Sequence, residues 1–258
     1  MKTTGYLGPH PGFRPRIFAH RGLTFDKHTQ VVDENTLDSF ELAMAAGADY
    51  LESDIQVTKD LIPVLFHDRD LKRLVGKKTL ISSLTLDELQ SIRLPHSGQI
   101  PTLEQALEKL PKAKFNLDLK TPRAEKVGIQ AILAQNAADR VLVSSFSEAS
   151  RKRALAISNT PLASSAGSSK VLSAYFFARF KNLPALAKEL VTIDALQIPA
   201  KFFGIDFTDP RFLEPVLAAG VEIHYWTIND PEQMQELFQI GAHGLVTDRC
   251  DIAIKTFS

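Results

Sequence analysis

Two histidines, an arginine and a spaced pair of carboxylates stand close together early in the chain: His20-Arg21, then Glu52-Ser53-Asp54, then His67-Asp68. Imidazole titrates near neutrality, so of His20 and His67 one can accept a proton from an attacking hydroxyl while the other protonates a leaving alcohol. The residues assign the pair and leave the individual roles open. Arg21 offers a planar fork that matches two phosphate oxygens, with a structural ion pair to Glu34 or Asp68 as its alternative. Glu52 and Asp54 lie two apart in the β-prone run 50–57, so both project from one face, about 6 to 7 Å apart. Two like charges that close are costly to bury unless a cation compensates them. The segment 114–120 repeats the arrangement, with Asp118 and Lys120 on one strand face and Leu117 and Leu119 on the other. Three carboxylates against Arg21 and Lys120 leave a negative balance that a phosphodiester deepens. A divalent cation on Glu52, Asp54 and Asp118 is therefore expected, with a metal-free salt-bridge cluster as the alternative. An all-oxygen donor set suits Mg2+ or Ca2+ better than Zn2+. Cleavage of a phosphodiester is the first chemistry this set suggests.

The elements that must position these residues are short. Eight strands are expected at 16–20, 50–57, 114–120, 140–144, 161–165, 194–198, 222–227 and 244–247. Most are apolar, as strands buried on both faces should be, and helical stretches lie between them. Leu37, Phe40 and Met44 recur at helical spacing and Gly47 ends that helix. Asp209-Pro210 and Asp230-Pro231 open helices that stop at Gly220 and Gly241, and Thr85 and Thr102 each begin a capping box. The fold class expected is α/β, a single (β/α)8 barrel. A doubly wound open sheet is the runner-up. It is disfavoured because the glycine-rich dinucleotide fingerprint is missing and the polar residues sit at the carboxyl ends of several different strands. The long segment 63–102 carries its own short helix and is expected to form a small insertion between the second and third strands, over the barrel mouth. Residues 1–15, with three glycines and three prolines, are expected to be an extended arm, and residues 16–258 the barrel domain.

Eight motifs stand in order along the chain: His20-Arg21-Gly22, Glu34-Asn35-Thr36, Glu52-x-Asp54, Thr58-x-Asp60, His67-Asp68, Ile100-Pro101-Thr102-Leu103, Asp118-x-Lys120 and Trp226-Thr227-Ile228-Asn229. Together they resemble the glycerophosphodiester phosphodiesterase family over nearly the whole chain. The resemblance implies a barrel that uses a divalent cation to hydrolyse glycerophosphodiesters to sn-glycerol 3-phosphate and an alcohol. One position departs from the pattern: the family usually carries Glu where Asp118 stands. The related spider-venom phospholipase D enzymes, which share the barrel, resemble this chain there. The same superfamily also offers a rival activity, a phospholipase D-like or lyase reaction that stops at a cyclic phosphate. A barrel that binds glycerophosphodiesters without turnover is the rival of another class, and the intact pair His20 and His67 argues against it.

Thirty basic and thirty acidic residues cancel, so no whole-protein field directs the chain to nucleic acid or an anionic membrane. The expected partner is a small-molecule glycerophosphodiester; oligomeric state is left open. The lone Cys250 excludes an internal disulfide framework, no apolar run is long enough to span a bilayer, and no signal pattern opens the sequence, so a soluble, cytoplasmic protein without stable membrane insertion is expected. Glu34 either orients Arg21, approaches the glycerol, or simply begins the next helix. Trp226 either walls the glycerol pocket or packs the barrel. The run Ser164–Ser169 is expected to be a polar loop, and Tyr175, Phe176, Phe177 and Phe180 a buried helix face.

Overall fold

The short apolar runs become strands, and the capped segments between them become helices. In the computed structural model, which describes residues 5–9, 12–96 and 98–258, the barrel strands are β1 Arg16–His20, β2 Tyr50–Val57, β3 Phe115–Leu119, β4 Val141–Ser144, β5 Ala163–Ser164, β6 Ala195–Ile198, β7 Glu222–Tyr225 and β8 Gly244–Thr247. They run parallel in the order β5-β4-β3-β2-β1-β8-β7-β6. The ring closes where Ser165 bridges Ala195, with the Asp194 N–H donating to the Ser164 carbonyl at 2.9 Å. This is the expected (β/α)8 barrel and not the open sheet. β5 is shorter than the expected 161–165, and beyond Ser164 the pairing continues only as the single bridge of Ser165 to Ala195.

Register decides what faces inward. Phe18 lies level with Tyr50 and with Val246, and these three join Leu142 and Ala163 in an apolar layer toward the amino ends of the strands. Two residues further along β1, His20 is level with Glu52, Glu52 with Asn116, Asp54 with Asp118, and Asp118 with Ser144. The strand period of two thus puts an apolar floor under a polar mouth. The intervening residues, among them Ile17, Leu51, Leu117, Val143 and Ile223, face the helices and are fully or nearly fully buried. Each such side chain stabilises the fold by about 1.5–3 kcal/mol relative to exposure.

The described part of the N-terminal arm is docked, not free. Tyr6 is fully buried against the floor, Tyr50 donates its hydroxyl to the Leu7 carbonyl at 3.1 Å, and Lys114 donates to the Tyr6 carbonyl at 2.6 Å. Residues 1–4, 10 and 11 of that arm lie outside the described residues.

The insertion is present. Pro63–Leu65 turns back antiparallel on β2, and its Val64 joins Phe66, Leu71, Ile81, Leu89, Leu94 and Ile100 in a small separate apolar core. Two motifs of the sequence serve this unit. Asp60 accepts from the Thr58 hydroxyl (2.6 Å) and from the Leu86 N–H (3.1 Å), and Thr102 caps the helix Leu103–Lys109 in a capping box with Gln105. The buried carboxylate of Asp33 ties it to the barrel by accepting from the N–H groups of His96 (2.9 Å) and Gly98 (3.1 Å). Among the described residues no helix is long and apolar enough to cross a membrane.

Candidate active site

The turn after β1 builds one side of the mouth. Arg21 is left-handed (φ 59°) and so is Gly22 (φ 84°). A Cβ on Gly22 would stand 2.4 Å from the Ser39 Oγ, so only glycine lets the turn lie against the start of the helix Leu37–Ala45. The turn brings the Arg21 N–H to the Glu52 carbonyl at 3.0 Å and to its carboxylate at 3.2 Å. Asn35, also left-handed at φ 56°, donates its N–H to the Arg21 carbonyl and its side-chain amide to Asp54 (3.1 Å), and accepts from the Ser53 hydroxyl (2.6 Å). The Glu34-Asn35-Thr36 motif therefore has three separate jobs. Glu34 accepts from Arg21 Nη1 at 3.1 Å, Asn35 fixes Asp54, and Thr36 caps the helix.

Each histidine has its own carboxylate. The Nδ1 of His20 is 2.6 Å from Asp248, whose other oxygen accepts from the Asn229 amide at 2.7 Å, while its Nε2 points toward Glu52 at 4.0 Å. Burial disfavours the imidazolium, but the hydrogen bond to Asp248 and the charge of Glu52 outweigh it, and the His20 pKa is raised. His67 Nδ1 lies 2.7 Å from Asp68, and Arg73 in turn donates to Asp68 at 2.6 Å and to Glu34 at 2.9 Å. Arg73 thus joins the insertion to the Arg21 side of the mouth. Burial tends to raise the carboxyls of Asp68 and Glu34, but their hydrogen bonds and guanidinium neighbours prevail, and both titrate below their ordinary values.

The three inward carboxylates share too little positive charge. Lys120 lies between two of them, 2.8 Å from Asp54 and 2.9 Å from Asp118, and Arg21 Nε stands 3.5 Å from Asp54. Burial would raise Asp54, but Lys120 and Arg21 hold it below the usual carboxylate range. Desolvation and the charge of Asp54 push Glu52 up to about 8, and desolvation likewise raises Asp118. Among the described residues no group of three or more His, Cys, Asp or Glu side chains converges as a ready-made metal cage. The donor chemistry nevertheless fits a hard divalent cation. All the donors are oxygens, and a buried carboxyl such as Glu52 that holds its proton near neutrality signals a missing positive charge.

A cavity of 510 Å³ opens over this cluster, lined by His20, Arg21, Glu52, Asp54, His67, Asp118 and Lys120 among others. Trp226 lines it too, packed edge-to-face on Phe146 at 5.9 Å and also against the apolar floor layer of the barrel. Of the site residues expected from the sequence, Glu34 alone does not line it, and acts only through Arg21 and Arg73; Arg73, equally off the wall, was not signalled by the sequence. Two buried polar atoms of the lining, Arg21 Nε and Asn116 Oδ1, have no hydrogen-bond partner, which marks a place for a polar ligand. The serine run is more than a loop, since Ser165 and Ser168 line the cavity. The aromatic helix face is only half buried: Tyr175 and Phe177 pack on the core, but Phe176 and Phe180 stand exposed and stacked on one another. Phe176 belongs to the helix Ser168–Arg179 and Phe180 is its C-cap.

Comparison with known proteins agrees with the geometry. The sequence profile of the Glycerophosphoryl diester phosphodiesterase family matches residues 20–252. A probable glycerophosphodiester phosphodiesterase 2 of Mycobacterium tuberculosis is 34% identical over 235 residues, which are 91% of this chain and 87% of that protein. A solved Oleispira antarctica phosphodiesterase, in complex with the product sn-glycerol-3-phosphate, superposes with a TM-score of 0.73 at 27% identity, covering 95% of this chain and 97% of that one. A glycerophosphodiester phosphodiesterase from Parabacteroides distasonis superposes at 0.74 with 25% identity, covering 95% and 97%.

Proposed function

Since the chain belongs to the glycerophosphoryl diester phosphodiesterase family, a family of hydrolases, we propose that it hydrolyses glycerophosphodiesters to sn-glycerol 3-phosphate and an alcohol, with His20 and His67 as the acid–base pair. The observation that carries this reading is the convergence on one cavity of two histidines, each bound to its own carboxylate, with Arg21 and Lys120.

Arg21 and Lys120 hold the phosphate: the Nε–H of Arg21, which makes no hydrogen bond and only a 3.5 Å ion-pair contact with Asp54, and the ammonium of Lys120 supply donors and charge where negative charge is redistributed. Asn116 Oδ1, an acceptor without a partner, takes a glycerol hydroxyl. Glu52, Asp54 and Asp118 would hold a Mg2+ or Ca2+ ion. Bound there, the cation would neutralise phosphate charge and make a nearby hydroxyl more acidic. The glycerol 2-hydroxyl is the nucleophile. It loses its proton to one histidine as its oxygen bonds to phosphorus, the bond to the alcohol oxygen breaks, and the other histidine gives that oxygen a proton. Water then opens the cyclic phosphate with the two roles exchanged. Asp248 and Asp68 keep each imidazole oriented, and Asp248 also favours the protonated form of His20.

Phosphorus NMR of the products from glycerophosphocholine and glycerophosphoethanolamine tests the proposal. Accumulation of sn-glycerol 3-phosphate supports it, a cyclic phosphate as the final product identifies the lyase reaction, and no turnover with tight binding identifies a binding protein.

A further inference from the structure

Outside the cavity, one side of the molecule carries apolar side chains that no other described residue covers. Leu172, Phe176 and Phe180 follow one another at intervals of four along the helix Ser168–Arg179 and its C-cap, a ridge about 12 Å long on one face. All three are exposed, Phe180 to 77%, and Phe176 stacks on Phe180. Leu183, exposed as well, opens the next helix, Leu183–Leu190. Leu172 lies on the rim of the cavity, and so do Phe202 and Phe203 of a short hairpin in which Lys201–Phe202 pairs antiparallel with Ile205–Asp206.

The hairpin adds an independent observation. Its two turn residues, Phe203 (φ 44°) and Gly204 (φ 79°), are both left-handed, a turn that Asn-Gly or Asp-Gly would form without strain. A phenylalanine stands there instead, 93% exposed and packed edge-to-face on Phe202. A bulky aromatic kept in a disfavoured backbone conformation at an exposed tip is poor for folding and suited to contact with something outside the chain.

Charge says what that partner is. Glu189 and Asp206 are the only acids on the two helices and the hairpin, and both are paired, with Lys170 at 3.4 Å and Lys201 at 3.8 Å. Asp209, within electrostatic reach of Arg179, is held by Arg211 at 2.7 Å. Lys181 and Lys188 make no ion pair among the described residues, and with Arg179 they leave a local positive excess on a chain whose overall charge is zero. Lys181 directly follows the most exposed aromatic of the ridge.

We infer that this ridge and the Phe202-Phe203 tip form a docking surface for an anionic lipid bilayer, the aromatic rings entering the headgroup layer while Arg179, Lys181 and Lys188 lie against its negative charge. Phenylalanines that protrude singly between lysines suit a soft, charged interface, where long cationic side chains keep their heads in water. A second copy of the chain is a poorer fit, because the buried centre of a protein interface excludes lysine. No described helix is long and apolar enough to cross a membrane, so the contact is peripheral. Docking through residues of the rim sets where the protein sits and brings the mouth to the membrane surface; it does not depend on which diester the cavity accepts.

The test is co-sedimentation of the purified protein with vesicles of phosphatidylcholine alone and of phosphatidylcholine mixed with phosphatidylglycerol, at low and high salt. The protein should partition onto the mixed vesicles, much less onto phosphatidylcholine alone, and lose binding as salt rises. Phe176→Ser and Phe180→Ser should each lower the partition coefficient by about tenfold, and Lys181→Gln by about fivefold. None of these three residues lines the cavity, so turnover of water-soluble glycerophosphoethanolamine and the melting temperature should stay at the wild-type level. Phe203→Asn, which suits the turn, should keep or raise the melting temperature and still weaken binding. No sedimentation with either vesicle overturns the inference, as does binding that ignores salt and lipid charge or survives all four substitutions. A dimer in analytical ultracentrifugation that Phe180→Ser dissolves, without vesicle binding, overturns it in favour of a second copy on this face.

Discussion

Replacing Asp248 by Asn removes the charge that faces His20 and keeps the volume. In the structure the carboxylate accepts from His20 Nδ1 at 2.6 Å and is itself held by Asn229. An Asn side chain can offer its amide N–H to Nδ1, which leaves the proton on Nε2 and spoils that nitrogen as a base toward the cavity. A hydrogen bond to a charged group contributes about 1.5–3 kcal/mol. The Asp248 side chain is 42% exposed, so solvent screening brings the expected value toward the lower end. A loss of about 10- to 100-fold in kcat/KM follows, with the pH limb belonging to His20 moving to lower pH. The stability effect has a defined window. The folded pKa of His20 is raised, so its contribution is fully present below the unfolded value of about 6.5 and lost as pH rises through the folded value. Asp248 is lowered, despite its burial, by that same bond, so its side of the pair is lost only as pH falls below its unfolded value. The wild-type and Asp248→Asn melting temperatures should therefore differ most between about pH 4 and 6.5 and converge above. Equal kcat/KM and superimposable pH profiles for the two proteins would refute the role given to Asp248.

Three further outcomes are expected. Glu52 has its folded pKa raised from 4.5 to about 8, so in chelator the protein should lose stability as pH rises from about 4.5 to 8, by at most about 1.4 kcal/mol for each pH step of one, and Mg2+ or Ca2+ should flatten that slope; thermal melts at several pH values check it, and parallel curves with and without cation count against the carboxylate site. Arg73→Ala removes the link between Asp68 and Glu34 at a half-exposed position, so kcat/KM should fall several-fold with less than about 1 kcal/mol lost in urea unfolding. Asn35→Ala leaves the Ser53 hydroxyl without its acceptor, takes a donor from Asp54 and forces alanine into a left-handed conformation, so unfolding should cost about 2–4 kcal/mol less, as read from urea melts.

What could be read from the chain is what local pattern encodes. β1, β2 and β8 have the bounds expected, β1 and β8 as short, largely apolar runs and β2 from its β-prone residues and period-two alternation, and the Asp-Pro openings mark the helices Pro210–Ala218 and Pro231–Gln239. The strand period also placed Glu52, Asp54, Asp118 and Lys120 on the inner face. The remaining features depend on contacts between distant segments. The pairing of Asp248 with His20 has no local signal, since it spans nearly the whole chain. Arg73 comes from a helix of one turn in the insertion and meets Glu34 and Asp68 only after that unit closes. The hairpin at Phe203 lacked the Asn-Gly signal that would have marked it, because its turn is built from a residue that resists the conformation. The buried-face expectation for Phe176 and Phe180 failed because helical spacing gives a stripe and not the neighbour that covers it.

The central claim is that His20, with the carboxylate cluster beside it, drives cation-dependent hydrolysis of a glycerophosphodiester. The direct measurement is enzymatic determination of sn-glycerol 3-phosphate released from glycerophosphoethanolamine by the wild-type protein with Mg2+ or Ca2+, with a chelator, and by His20→Ala with the cation. Release that needs the cation and is abolished by the substitution is the predicted result; release that survives chelator or persists in His20→Ala would contradict it.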